Sequence, residues 1–125
     1  MKPYEEWIEG AISSYELSIV PKPDRVKYSD LCFQLHFAVE KALKAFLIYF
    51  GIRPERTHDI SKLLISIEKH TDIPENVKDA TDLSRYFFVT RYPGSPNDVS
   101  EDDYRSAIKI AKECIEWVES MVKGD

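Results

Sequence analysis

The sequence predicts an all-α fold, a five-helix up-and-down bundle, on three observations. Apolar residues recur at three-and-four spacing along nearly the whole chain, which is the spacing of one helical face. The interruptions fall at proline and glycine, only 7 and 4 in number, so punctuation separates a few long segments rather than many short strands. No strictly alternating run marks a strand pair. At 125 residues the chain is sized for one domain over residues 1–125, able to bury a core without staples.

The first helix starts at Pro3, where the missing N–H costs nothing, and its face is Tyr4, Trp7, Ile8, Ala11, Tyr15 and Ile19. Pro21 and Pro23 end it. The second runs from an N-cap at Ser29 to Gly51, a residue suited to the left-handed position after a helix. Between Leu31 and Phe50, 15 of 20 residues are apolar. A helix this apolar all round needs cover on several sides, so it is expected at the centre, shared with a second copy of the chain. The third helix follows a cap at Thr57 or Asp59 and buries Ile60, Leu63, Leu64 and Ile67. Pro74 opens a fourth, with Val77, Ala80, Leu83 and Phe87 inward, fraying near Val89. Ser100 caps the fifth, whose first turn holds Glu101, Asp102 and Asp103 and whose stripe runs from Tyr104 to Val122.

Composition narrows the function. Lys+Arg 17 against Asp+Glu 22 gives a net charge of -5, which argues against coating nucleic acid by bulk charge and leaves a local basic cleft open. Gln34, His36, Glu40, Lys41 and Lys44 interrupt the most apolar stretch, so a membrane span is not expected. Cys32 and Cys114 read as buried free thiols, too few for zinc. With no secretory leader at Met1, the expected compartment is the cytoplasm. No cofactor or metal motif is present: the glycines stand alone, and His36, His58 and His70 lack ligand spacing.

Three groups of residues remain as candidates. Arg53, Arg56 and His58 put two guanidinium groups and an imidazole in six residues, a set able to hold a phosphodiester and move a proton. The competing reading is a helix start, with Thr57, His58 and Asp59 satisfying free amides. Lys41 and Lys44 break the apolar second helix, Glu40 and Lys44 being spaced as an i,i+4 ion pair. Arg85 and Arg91 bracket Tyr86-Phe87-Phe88 and lead into Tyr92, a pattern suited to stacking a base beside a cation or, equally, to core packing. His36 reads as a hydrogen-bonded core or interface histidine.

The segment Cys32-Phe-Gln-Leu-His-Phe-Ala-Val-Glu-Lys-Ala-Leu-Lys-Ala45 resembles the signature helix of the HEPN family, the higher-eukaryote and prokaryote nucleotide-binding domain. Thr57-His58-Asp59-Ile60 before Leu63-Leu64, Leu83 followed by Tyr86, and Arg91-Tyr92-Pro93 match in order. The resemblance covers about Tyr4 to Val122. It implies a bundle of HEPN type whose helices pack into a homodimer, often encoded beside a minimal nucleotidyltransferase as a toxin–antitoxin pair. Many members of the family are metal-independent ribonucleases using an arginine followed four to six residues later by a histidine. Here no histidine follows Arg85 or Arg91, and the spacing occurs only at Arg53 and His58.

The expected function is therefore a non-catalytic module binding a nucleotide, RNA or nucleotidyltransferase through Arg85, Arg91, Tyr92, Lys41 and Lys44. One alternative is a ribonuclease toxin using Arg53 and His58. A dimeric scaffold is the other.

Overall fold

In a computed structural model, residues 1–89 and 98–122 are described, Phe88 and Val89 by their backbone alone. The helices are α1 (Pro3–Ser18), α2 (Tyr28–Tyr49), α3 (Ile60–Glu68), α4 (Glu75–Lys78), α5 (Arg85–Val89) and α6 (Glu101–Val122), with a 3-10 segment, Asp79–Ser84, between α4 and α5. Among the described residues there is no strand. The five expected helices are all found. The fourth is assembled from α4, the 3-10 segment and α5, its middle made of Asp79, Thr81, Asp82 and Ser84, residue types of low helix propensity. Its inward residues, Val77, Ala80, Leu83 and Phe87, are nevertheless all buried.

The helix ends follow their local chemistry. The Asp59 carboxylate accepts from Ser61 N–H (2.9 Å), so Asp59 is the cap of α3, while Thr57 Oγ1 accepts from Asp59 N–H (3.0 Å) and braces it. At α6, Ser100 Oγ accepts from Asp103 N–H while the Asp103 carboxylate accepts from Ser100 N–H, both at 3.0 Å, a reciprocal cap. The start of α2 lies before Ser29, because Asp30 accepts from Lys27 N–H (3.1 Å) and lets the helix begin at Tyr28.

At the other end of α2, Gly51 has φ +75°. Its N–H donates to the Ile48 carbonyl (3.0 Å) and Ile52 N–H to the Leu47 carbonyl (2.8 Å), closing the helix and turning the chain away. Since the left-handed conformation costs an L-residue about 1–2 kcal/mol, Gly51→Ala is expected to lower unfolding free energy by about that amount in urea titrations. An unchanged midpoint would contradict this.

α2 is the central helix, flanked by α1, by α6, and by α3 with the 3-10 segment and α5. Twelve of its residues, from Leu31 to Leu47, are buried by its own chain. Its apolar length therefore does not require a second copy, contrary to the expectation from composition. Phe50 at its end keeps 47% exposure.

The expected face of α1 is found except at its end: Ala11 is buried, Tyr4, Ile8 and Tyr15 pack half-buried against the core, and Ile19 is 44% exposed. Ser14 and Ser18 are buried as well. Small side chains at Gly10, Ser14 and Ser18 let α1 lie close over α2, and a Cβ on Gly10 would stand only 3.3 Å from Lys41 Cδ. Both cysteines are free and buried, and burial pushes each thiol up to about 12.

Candidate functional site

Two segments, α2 and the loop before α3, meet at Glu40. This carboxylate is buried in α2, its side chain 5% exposed, a placement costly for a charge unless it is paired. Lys44, one turn on, donates from Nζ to Glu40 Oε2 (2.9 Å), the expected i,i+4 pair. From the loop before α3, His58 donates from Nδ1–H to Glu40 Oε1 (3.0 Å).

A second tie holds the same loop. His36, fully buried, lies 2.8 Å through Nε2 from the His58 carbonyl. A carbonyl only accepts, so Nε2 of His36 carries the proton and donates. Its Nδ1 makes no hydrogen bond and stands 3.9 Å from Glu40 Oε1. The His58 ring also stacks on Phe87 of α5, with centroids 4.7 Å apart and planes 21° from parallel. Phe37 meets the His58 ring edge-on at 6.0 Å. His58 is thus fixed at its carbonyl, its Nδ1 and one ring face, while its side chain stays 51% exposed.

Burial holds the His36 pKa below its ordinary value, opposed by the hydrogen bond to the His58 carbonyl and by Glu40. The sign of the pH effect follows. Because the folded state resists a proton that the unfolded chain accepts near pH 6.5, the stabilisation is complete above that pH. It declines as pH falls from 6.5 towards the lowered folded value. Urea titrations between pH 8 and 5 are expected to show this decline, and His36→Gln to remove that component. A His36→Gln profile of unchanged slope would refute the assignment.

The other expected site residues are dispersed. Lys41 Nζ donates to Ser14 Oγ (2.9 Å) on α1, and Lys44 Nζ also lies 5.7 Å from the Trp7 ring centroid. Both lysines thus bind α1 and α2 together. Arg85 turns towards α6: its Nη2 donates to Tyr86 Oη (2.7 Å) and lies 3.7 Å from Asp103 Oδ1. Since Arg85 and Phe87 are two apart on a helix, they face different sides, so Arg85 does not share the His58 face. With Asp82, Tyr86, Asp103 and Ser106 it lines a cleft of about 90 Å³. Arg53 and Arg56 are exposed. Arg91 and Tyr92 lie outside the described residues.

In the sequence Glu40 reads as the i,i+4 partner of Lys44, on a solvated face or against a second subunit, and its contact with His58 is missed. A signal was available: a carboxylate on a helix apolar all round cannot be left to solvent, so it needs partners from elsewhere in the chain. Among the described residues, no group of three His, Cys, Asp or Glu side chains is placed to hold a metal ion. Nor is any helix there long and apolar enough to cross a membrane.

A family model, the HEPN domain, matches residues 4–121. The chain belongs to the HEPN family. The HEPN chain is similar in structure to ST0689, an archaeal HEPN homologue, with TM-score 0.77 and 30% identity over 98% of this chain and 99% of that one. It also resembles TT1696 from Thermus thermophilus in fold, with TM-score 0.79 and 23% identity over 96% and 98% of the two chains. A comparison with curated proteins finds no match.

Proposed function

We propose that this HEPN chain works in the cytoplasm by binding rather than by turnover. It acts as a homodimeric module that takes a nucleotide, an RNA end or a minimal nucleotidyltransferase of a toxin–antitoxin-like pair. The observation carrying this reading is that no imidazole accompanies Arg85 or Arg91, since His70 is the last histidine in the chain. A ribonuclease of the family's usual type would lack its proton-transfer group there, help typically worth ~10²–10⁴ in rate. Binding through arginine and a stacked aromatic survives that loss.

Calorimetric titration of ATP and of short single-stranded RNAs, alone and with a co-encoded nucleotidyltransferase, tests the reading, together with sedimentation equilibrium. Saturable binding by a dimer that leaves RNA intact is expected. A monomer that binds none of these ends the proposal.

One observation favours a second reading, a metal-independent ribonuclease: Glu40 orients the His58 imidazole, on the loop that also carries the exposed Arg53 and Arg56. In that case RNA cleavage and toxicity disappear in His58→Ala while the helical spectrum persists.

A further inference from the structure

We propose that His58 Nε2 is a nucleophilic acceptor for phosphoryl groups from small donors of the phosphoramidate or acyl-phosphate class. The proposal goes beyond both readings above and needs neither to hold.

The argument begins with the tautomer. A carboxylate accepts hydrogen bonds, so the contact from His58 Nδ1 to Glu40 Oε1 (3.0 Å) places the ring proton on Nδ1. In the neutral ring, Nε2 then carries the lone pair. No hydrogen bond joins Nε2 to another described residue. The Nδ1 edge faces a carboxylate whose side chain is 5% exposed, whereas the His58 side chain as a whole is 51% exposed. Nε2 thus belongs to a side chain half open to solvent and has no hydrogen-bond partner among the described residues.

Two further contacts keep the ring in this pose. Phe87 stacks on it at 4.7 Å, and His36 holds the His58 carbonyl at 2.8 Å. An imidazole fixed by an acidic partner on one nitrogen and open at the other is the arrangement that activates a histidine. Glu40 has a second use. When Nε2 takes an electrophile the ring becomes cationic, and the buried carboxylate already lies against that charge. Lys44 on Oε2 does not cancel the contact, because Oε1 remains committed to His58. Arg53 and Arg56, exposed on the same loop, supply positive charge that attracts an anionic donor.

The Nε2 lone pair forms an N–P bond to phosphoramidate protonated on its nitrogen, while the donor's own P–N bond breaks. Ammonia leaves with that electron pair, and the phospho-imidazolium keeps its proton on Nδ1, hydrogen-bonded to Glu40.

His70, also exposed, is an internal reference. The folded wild-type chain is treated with potassium phosphoramidate, and each phosphohistidine is located by mass spectrometry and its isomer assigned by NMR. Phosphorylation of His58 at Nε2, at least about tenfold faster than His70, is expected, the difference vanishing in urea. Equal rates in the folded chain, or attachment at Nδ1, would overturn the proposal. Glu40→Gln, checked for helicity, is expected to bring His58 down to the His70 rate; an unchanged preference in that folded variant also overturns it. Because the decisive comparison uses wild type, a variant that fails to fold does not spare the idea.

Discussion

Glu40→Gln is expected to lower the unfolding free energy by about 3 kcal/mol, the scale on which losing one partner of a buried ion pair strands the other. Lys44, whose side chain is only 12% exposed, loses its charged partner one turn away. Water cannot fully replace that partner at so covered a position. The half-exposed His58 suffers less, because solvent reaches it. A second substitution separates pairing from packing: Glu40→Leu with Lys44→Leu removes both charges and is expected to recover most of the loss, since apolar replacement of a buried pair is often neutral or better. Denaturant titration of wild type, the single variant and the double variant measures this. A double variant as unstable as the single would show that the charges are not the cause.

Phe46→Ala is expected to cost about 3–5 kcal/mol, the range for emptying a fully buried aromatic site. Phe46 is 1% exposed and lies where α2 meets α6, its ring stacked on Trp117 at 5.2 Å with planes 11° apart. Phe50 adds a contact at 4.7 Å. Phe46 and Trp117 belong to separate helices, so a cavity is expected between them. The tryptophan makes the result visible: its emission should shift to longer wavelength as water enters beside the indole, and the urea midpoint should fall with it. A midpoint within error of wild type would mean that the helices do close on the gap.

Much of this architecture was legible in the sequence because it depends on local chemistry. The α6 stripe, the Ser100 cap and the stop at Gly51 each follow from residues within a few positions of one another. The breaking of the fourth helix was less so, since it reflects several weak preferences around Asp79–Ser84 acting together. The site was legible only in pieces. His58 and Glu40 are 18 positions apart, and nothing in either segment alone says that the loop folds back along α2. Lys41 and Lys44 look like ligand contacts in the sequence for the same reason. Only the packing of α1 through its small residues places Ser14 and Trp7 beside them. A charge's partner depends on which helix lies across it, and that is a tertiary fact.

The segment between α2 and α3 is moored at both ends. Ile52 is held by the Leu47 carbonyl, and His58 by His36 and Glu40. Arg53 and Arg56 therefore ride on a short span with little slack. For the ribonuclease reading proposed above, this means that much of the ordering penalty of a loop would be met during folding rather than on binding.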